Sequence, residues 1–497
     1  MVRIAVVLLA LACAAPTAAQ GFGFGKQEPD VVNLGVLGAG VDVQEETLPV
    51  RLVLPGGPAA QAGLRVGDVI VGVAGARLQK TADPLAGPVE QVIAAVERAE
   101  ATKKKPVVVL AVRRGAEEVQ VSVRVPYLGK HSRSCPSKCK KCARVVEQGL
   151  AFLARTQGPS GEFPTDLGGK TGKVVVTSLG GLAFLSAGVK PGRGGPLDRA
   201  ARYVLSHVGK EEASPLAGAG GGNWNQVNWE LAYGLMFLAE MAHRTGRPEF
   251  LQKCHELVTA LERTQEASGG WAHGPGGPNA LGYVELEIVS NYALLGMAAA
   301  RGLGVELDAA KLSKALSWIE ETSGGTGGVG YSTRPGQKGF GDAGRTAGAI
   351  VAFQALGAER HPFFRKMVGF YQGNLRKLPA GHVSPAMHLL AGAMAAHVLG
   401  KSAWKTYWKT YRTHVMGVRK PDGSFAPTPT HESRSLRNNT DRTVGPRWTT
   451  ATYVLILTLH KGNLPALLGG GKGRKKGKKK IRARPRTGSR PRTGARS

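Results

Sequence analysis

The chain has 497 residues, of which 42% are hydrophobic and 20% charged, and its formal net charge is +31. This length exceeds what one hydrophobic core normally organises, so two or more domains are expected. Beyond the N-terminal apolar run no segment reaches eighteen uninterrupted apolar residues, which argues against a membrane-spanning helix and predicts a soluble mature protein.

The N-terminus has the pattern of an export signal. Arg3 precedes an apolar run over residues 4–15, and the small residues Thr-Ala-Ala follow at 17–19 as a signal-peptidase site. The run is too short to span a bilayer, so residues 1–19 are interpreted as a cleaved signal. The protein is therefore predicted to be periplasmic or secreted. Cys13 lies in a poor lipoprotein cleavage sequence, and lipidation is the lesser alternative.

The first folded unit is predicted over residues 31–128. Residues 50–78 contain an apolar strand, a Pro-Gly turn, a small-residue helical turn and a second strand. A helix with one apolar face follows over 87–100, and two strands over 107–113 and 119–125 close the unit. This order predicts a small β-rich domain.

The run Gly-Gly-Pro-Ala-Ala followed by Ala-Gly-Leu and Gly-Asp-Val-Ile, over residues 56–70, resembles the PDZ domain of exported bacterial proteases. The resemblance implies that extended peptides or protein C-termini are captured by strand addition. By this resemblance the carboxylate-binding loop is Leu34, Gly35 and Val36, and the side-chain groove is lined by Val89, Val92 and Ile93. The alternative is a PDZ domain that packs on its neighbour and binds no peptide.

A cysteine-rich linker over residues 129–142 follows. Its candidate ligand residues are His131, Cys135, Cys139 and Cys142. The cysteine spacing is that of a radical-SAM iron–sulfur motif, but such a cluster requires a reducing compartment and an α/β barrel, and neither is indicated. Two interpretations stay open: a disulfide, with Cys254 as a further candidate partner, and a structural zinc site with His131 as fourth ligand. Because thiols pair in an oxidising compartment, the disulfide is preferred.

Twelve helix-length apolar segments occupy residues 143–468, alternating between amphipathic and more apolar. Since one helix pair cannot bury its own apolar face, the repeat predicts an (α/α)6 toroid around a central cavity. The outer helices are predicted at residues 144–157, 196–208, 247–264, 308–321, 362–375 and 403–416. The inner helices are predicted at residues 174–187, 227–243, 282–302, 343–356, 385–399 and 449–461. The fold class is therefore multidomain, a small β-rich domain followed by an all-α toroid.

Glycine-rich turns with an aromatic residue link outer to inner segments, and those at Gln157 and Gln265 have the form Q-x3-G-x-aromatic. They resemble the repeat of prenyltransferases and terpene cyclases, although (α/α)6 barrels also serve glycoside hydrolases and polysaccharide lyases. The Asp-rich sites of terpene cyclases and the zinc-binding Asp-x-Cys pair of protein prenyltransferases are not found in the sequence. The whole order of signal, PDZ domain, cysteine-rich linker and toroid resembles an uncharacterised family of exported bacterial proteins, which implies no chemistry.

Polar residues at the starts of the predicted inner helices form the candidate cavity site. Some of them would simply cap helices, but inward polar groups on apolar helices are unusual because burying each one unpaired costs about 1–3 kcal/mol. The candidate acid–base residues are Glu285, Asp342 and His382. The other candidates, including tryptophans for stacking on a ligand, are Trp224, Trp229, Glu230, Arg345, His388, Arg447 and Trp448.

The tail, residues 469–497, contains 13 Lys and Arg and no acidic residue. It has too few apolar residues to fold and is predicted to be disordered. It is either a solvated extension or a segment that binds anionic lipid or polysaccharide outside the cytoplasm. Export argues against nucleic acid as its partner.

Two functional classes compete. In the first, the protein is an exported interaction module in which the PDZ domain captures peptide ends and the toroid is a scaffold or a ligand receptor. In the second, the toroid is an enzyme acting on carbohydrate, a hydrolase or lyase, or less plausibly a terpene-cyclase-like enzyme, and the PDZ domain recruits it. The first is preferred because the PDZ motif is the strongest in the sequence and no catalytic pair is evident, which leaves enzymatic activity an open question.

Overall fold

The computed structural model describes residues 30–83, 85–165, 169–192, 194–210, 226–274, 284–430, 433–434 and 439–469. The predicted signal peptide and the tail beyond Gly469 lie outside these residues. Among the helices described, none combines the length and apolar character needed to cross a bilayer.

The N-terminal domain is built on one sheet with two helices. Its strands are β1 (Val32–Asn33), β2 (Ala39–Val41), β3 (Leu48–Val53), β4 (Val69–Val73), β5 (Ala76–Arg77), β6 (Val107–Arg114) and β7 (Glu117–Arg124). The sheet order is β1-β2-β3-β4-β6-β7, with β5 paired to β4, and the pairings are antiparallel. Helix α1 (Pro58–Gln61) is a single turn, whereas α2 (Pro88–Glu100) packs on the sheet. The predicted β-rich domain is confirmed.

The rest of the described chain is helical. The outer helices are α3 (Lys140–Thr156), α5 (Pro196–His207), α7 (Pro248–Thr264), α9 (Ala309–Thr322), α11 (Pro362–Gly373) and α13 (Lys401–Gly417). The inner helices are α4 (Gly169–Ala187), α6 (Val227–Thr245), α8 (Glu287–Gly302), α10 (Ala343–Ala355), α12 (Pro385–Leu399) and α15 (Pro446–Thr458), the last preceded by the short α14 (Thr440–Val444). Each inner helix packs on the next, and α15 packs back on α4, so the ring is closed and the (α/α)6 toroid is confirmed.

The glycine-rich turns follow the outer helices α3, α7, α9 and α13, and each turn packs against the neighbouring outer helix of the ring. The Gln157 and Gln265 side chains donate to carbonyl oxygens of their own turn and of the following outer helix. Four turn glycines have positive φ and lie so close to a backbone carbonyl of the next outer helix that a side chain would collide with it: Gly161, Gly269, Gly327 and Gly423. Glycine is therefore required at this position of each turn, because the two backbones touch there. Gly423 makes the corresponding contact between the last turn and Gln148 of α3, where the ring closes.

One end of the ring, at the C-termini of the inner helices, is closed by the short helix α16 (Pro465–Leu468), which packs on α6 and α8. Leu464, Leu467 and Leu468 line a cavity of about 30 Å³ there together with leucines of the inner helices. A cavity of this size holds one or two waters. The central ligand cavity predicted from the sequence is thus filled by side chains in the described part of the chain.

Candidate functional site

The four predicted ligand residues of the linker converge on one point. His131 Nδ1 and the Sγ atoms of Cys135, Cys139 and Cys142 all lie within 4.8 Å of one another. His131 Nδ1 is 3.1 Å from Cys135 Sγ, 3.6 Å from Cys139 Sγ and 3.7 Å from Cys142 Sγ. Tetrahedral zinc, with bonds of about 2.3 Å to sulfur and about 2.0 Å to nitrogen, would place its ligand atoms roughly 3.5–3.8 Å apart. The donor set and its geometry therefore fit a structural zinc site.

A PDZ side chain completes this cluster. Glu97 of α2 lies 2.6 Å from His131 Nε2, through Oε1, which is the carboxylate–histidine arrangement that orients a metal-bound imidazole. Cys135 Sγ and Cys142 Sγ are 3.1 Å apart, far beyond the S–S bond of about 2.05 Å, and all four described cysteines are free thiols. The disulfide preferred from the sequence is therefore not formed in this structure, and Cys254 lies buried in α7.

A buried ion network lies next to the thiols, between the PDZ domain and the toroid. Glu100 of α2 pairs with Lys141 of α3 at 2.7 Å and with Arg419, in the turn after α13, at 3.1 Å. Glu100 and Lys141 have 0% and 1% of their side-chain surface exposed. Removing one partner from such a pair leaves an uncompensated buried charge. Each of these charged groups therefore stabilises the joint between the two domains only while its partners are present.

The predicted carboxylate-binding loop of the PDZ domain faces the end of α13. Asn33 Nδ2 donates to the carbonyl oxygens of Gly417 at 2.7 Å and Arg419 at 2.8 Å. A Cβ atom at Gly35 would lie 3.5 Å from the Met416 carbonyl oxygen. The carbonyl groups at the end of a toroid helix therefore lie against the loop that would hold a peptide carboxylate.

The predicted side-chain groove is also covered. Ile93 is buried in the toroid core rather than in the PDZ core, and Val89 packs against both. Leu34, Gly35, Val36 and Val92 are buried as well. Strand β2 is paired with β1 on one edge and β3 on the other, so strand addition at β2 has no free edge. Peptide capture stays a prediction, and it requires this contact to open.

At the opposite end from α16, the first turns of the inner helices bring several predicted residues together. Asp342 Oδ1 accepts from the backbone N–H groups of Gly344 at 2.8 Å and Arg345 at 2.9 Å, and so caps α10. The same oxygen is 2.9 Å from His388 Nδ1, a close contact without the angle of a hydrogen bond. His388 Nε2 lies 3.2 Å from the His382 carbonyl oxygen. Burial alone would raise the pKa of Asp342, but the charges of His388 and Arg345 lower it, so Asp342 is an anion.

Glu285 does not join these groups. It is half-exposed and accepts a hydrogen bond from Ser268 of the preceding turn at 2.8 Å. His382 contributes its carbonyl group, while its ring packs edge-on against Tyr331, whose ring also lies under the Arg345 guanidinium. The predicted trio is therefore not assembled as a catalytic set.

One of the buried acids at this end is Glu287, the first residue of α8. Its side chain has 0% exposure, and neither carboxyl oxygen has a hydrogen-bond partner among the described residues. Burial raises the pKa of Glu287 well above its ordinary value, outweighing the charge of Arg345. Glu287 is two residues from the predicted acid–base residue Glu285, and the sequence offers no reason to prefer it.

More buried polar atoms near Glu287 lack partners among the described residues. They are Asn291 Oδ1, Tyr292 OH, Tyr233 OH and Arg345 Nε. Asn291, Tyr292, Arg345 and His388 line a cavity of about 10 Å³, and the Tyr233 and Tyr292 rings stack 4.9 Å apart. Each unpaired buried group costs about 1–3 kcal/mol, whereas a cavity of this size holds about one water. This part of the toroid, with Glu287, is hereafter called the mouth cluster.

Other predicted cavity residues have their polar atoms satisfied. Glu230 bonds Lys170, Thr171 and the Gly209 N–H group, and Arg447 donates to the carbonyls of Thr156 and Pro164. Trp229 donates to His273 and Trp448 to Asp441. Asp441, which was not predicted, also accepts from Ser384 and Ala386 and so joins α14 to α12. Trp224 lies outside the described residues.

Two protein families match the chain, one over the toroid and one over the PDZ domain. A family described as a domain of unknown function (DUF6288) matches residues 142–466, and the PDZ domain family matches residues 50–109. The search of curated proteins found no match.

Solved structures similar to the chain include three enzymes. The apo type II terpene cyclase MstE from Scytonema is 15% identical, with 65% of this chain and 99% of that chain covered and a TM-score of 0.41. An inactive variant of the α-1,6-mannanase of Salegentibacter is 10% identical, with 66% and 99% covered and a TM-score of 0.44. Cellobiose 2-epimerase from Bacillus thermoamylovorans is 12% identical, with 64% and 99% covered and a TM-score of 0.45. At these scores the likenesses carry no inference about reaction or substrate.

Proposed function

Because the chain belongs to the family defined by this domain of unknown function (DUF6288) and carries a PDZ domain ahead of it, we propose that it is an exported protein-interaction module. In this proposal the PDZ domain binds extended peptide ends, and the toroid is the platform that holds the domain and covers its groove. The observation that carries the proposal is that the end of α13 covers the predicted carboxylate loop. Asn33, next to that loop, donates to the carbonyl oxygens of Gly417 and Arg419, and Gly35 lies against Met416.

The covered groove implies a competition. An incoming peptide must displace the end of α13 from Asn33 and Ile93 before it can occupy the same place. Its apparent affinity is therefore reduced by the fraction of molecules in which the contact is closed. A change that weakens the contact from the toroid side should raise peptide affinity without altering the PDZ residues.

Zinc is the second part of the proposal. His131, Cys135, Cys139 and Cys142 would hold one Zn²⁺, and Glu97 would fix the orientation of the imidazole. Such an ion would tie the linker to the start of α3, and through Glu97 to the PDZ helix. Bound thiolates are also protected from pairing, which reconciles free cysteines with export to an oxidising compartment.

The test uses the full chain and peptides that end in an apolar residue. Arg419→Ala removes one partner of Glu100 from the toroid side, and we expect it to raise the affinity for a free-carboxylate peptide about tenfold, or 1.4 kcal/mol. Amidating the peptide should reverse that gain. Arg247→Ala, which removes an exposed pair with Glu249 and a cation–π contact with Phe250 at the start of α7, is the matched control and should leave peptide binding unchanged.

Absence of binding by a whole peptide library to both the wild type and Arg419→Ala would contradict the proposal. The PDZ domain would then be a structural part of the toroid. The carbohydrate-enzyme alternative stays a prediction, to be tested by hydrolase and lyase assays on the wild-type protein.

A further inference from the structure

Strand β7 forms one edge of the PDZ sheet, and among the described strands it pairs with β6 alone. It is 8 residues long, whereas the opposite edge, β1, has 2 residues and lies beside the toroid, where Asn33 donates to the Gly417 carbonyl group. A strand edge offers a row of N–H and C=O groups to another strand, and proteins usually blunt such edges with proline, lysine, a bulge or a short length. Strand β7 has none of these features.

The ladder between β6 and β7 shows which backbone groups face outward. The N–H group of Val125, directly after β7, donates to the Pro106 carbonyl oxygen at 2.9 Å. Alternate residues of an antiparallel pair bond to the partner strand, so the odd-numbered residues of β7 bond to β6. The residues that direct their N–H and C=O groups outward are therefore the even-numbered ones, all of them exposed: Glu118, Gln120, Ser122 and Arg124.

The other face of β7 belongs to the PDZ core. Val121 and Val123 are buried there together with Ala59 of α1, the short helix that packs on this strand. The contact with α1 is thus made on the core face, and the outward backbone groups of β7 are available to a further strand.

The charges of β7 make its edge complementary to a second copy of the same edge. A two-fold axis perpendicular to the sheet pairs two such strands antiparallel, with side chains of the same face opposite each other. In the register centred on Val121, Glu118 of each chain lies opposite Arg124 of the other, and Gln120 lies opposite Ser122. These residues direct their backbone groups outward, so the register provides about eight hydrogen bonds between the strands. A shift of two residues in either direction removes both Glu–Arg pairs, and this match at both ends favours a second copy over an unrelated strand.

We propose that β7 is a dimerisation edge, and that its partner is β7 of a second copy in the antiparallel register centred on Val121. The surface goes beyond the proposed PDZ function, because it uses no residue of the peptide groove, the zinc site or the mouth cluster. The linker leaves β7 at its C-terminal end, so antiparallel pairing places the two toroids at opposite ends of the joined strands. Glu118 pairs with Arg77 at 2.7 Å, but both side chains are exposed, so the carboxylate can exchange this partner for Arg124 at little cost.

Sedimentation velocity on the full chain, over a hundredfold range of concentration, measures the association. An ionic strength of about 0.15 M, with a Debye length of about 8 Å, screens the repulsion between two chains of high net positive charge. We expect a reversible equilibrium between monomer and dimer. Ser122→Pro removes an outward N–H group and keeps the ladder to β6, so it should weaken dimerisation at least tenfold and leave the melting temperature of the monomer close to that of the wild type.

Two charge reversals test the register. Glu118→Arg and Arg124→Glu each place like charges opposite each other, so each variant alone should dimerise at least tenfold more weakly than the wild type. Mixing the two variants should restore association, because two arginines of one chain then lie opposite two glutamates of the other. The double variant should dimerise like the wild type. Glu117→Arg is the matched control, since it makes the same charge change on the neighbouring residue, which points to the other face, and it should leave the dimer intact.

A full chain that stays monomeric at every concentration would overturn the proposal, and an extended segment of another protein would then be the occupant to seek at this edge. Dimers that persist in Ser122→Pro would also overturn it, because the interface would lie on another surface. If that variant does not fold, the charge variants still decide: unweakened dimers in both, or no recovery in their mixture, would exclude the register and the proposal with it. None of these outcomes depends on peptide binding, so failure here is distinguishable from failure of the proposed PDZ function.

Discussion

Two elements dock on the helical ring, and they do so by opposite chemistry. The PDZ domain is held by buried charges and a cluster of thiols, with Glu100, Lys141 and Arg419 at its centre. Helix α16 is held at the far end by leucines, and its Leu467 N–H group donates to Glu240 Oε1 at 2.8 Å. Both contacts are buried, but one consists of interdependent charges and the other of apolar surface.

The difference predicts which conditions disturb each contact. Apolar burial is additive and insensitive to salt or metal, so α16 should depend on side-chain volume alone, apart from Glu240. A buried charge network fails as a unit when one member is removed. The PDZ joint should therefore respond sharply to single substitutions and to chelators, and the far end of the ring should not.

The largest effect is expected at the thiol cluster. Cys142→Ala removes one of the four ligands, and structural zinc sites in small domains contribute about 10–16 kcal/mol of apparent binding free energy. We expect loss of one zinc per chain by elemental analysis, a large fall in melting temperature and rapid proteolysis of residues 129–142. Cys254→Ala, a buried cysteine in α7 outside the cluster, is the control and should keep its zinc.

A different result would support the disulfide in place of the zinc site. If alkylation without reductant finds two of Cys135, Cys139 and Cys142 blocked and the purified protein holds no zinc, the oxidised form is the native one. A chelator would then leave the melting temperature of the wild type unchanged.

A smaller effect is expected in the ion network. Glu100→Ala leaves Lys141 and Arg419 buried without their carboxylate, and should destabilise the protein by about 3–5 kcal/mol in urea denaturation. Asp83→Ala breaks an exposed pair with Arg376 across the same joint, together with a backbone hydrogen bond from Leu85, and should cost much less stability than Glu100→Ala. Similar losses of stability in the two variants would mean that the buried pairs of Glu100 contribute no more than the exposed pair of Asp83. The inferred difference between the PDZ joint and the α16 end would then be wrong.

The ring could be predicted closely from sequence because its signals are local. Helix α12 has the predicted bounds, and the turns at Gln157 and Gln265 repeat one backbone contact. Helix α8 was placed five residues too early, since it begins at Glu287 and not at residue 282. That error obscured the difference between Glu285, in an extended segment on the surface, and Glu287, in the first buried turn.

The PDZ joint could not be predicted because its partners are remote in sequence. Asn33 and Gly417 are 384 positions apart, and no periodicity links them. Likewise, the cysteine spacing named the candidate ligands, but Glu97, which favours a metal-bound His131, comes from a helix of the other domain. Sequence identified residues able to form sites, and their pairing across domains depended on the tertiary structure.

The last prediction concerns pH and the buried carboxyl of Glu240 at the α16 end. Burial raises its pKa to about 8 from an ordinary 4.5, although the backbone hydrogen bond from Leu467 and the charge of Arg244 act the other way. The folded protein thus keeps a proton that the unfolded chain loses near pH 4.5. Stability from this group is complete below about pH 4.5, falls by about 1.4 kcal/mol per pH unit as pH rises, and levels off above about pH 8.

Glu240→Gln keeps the acceptor for Leu467 and has no proton to lose. Urea denaturation of both proteins at pH 5, 6, 7 and 8 should therefore show the variant gaining stability relative to the wild type at each step, while contributions from Glu287 and Asp441 cancel in the difference. Parallel stability curves would mean that Glu240 is ionised in the folded protein, and the α16 end would then rest on charge as the PDZ joint does.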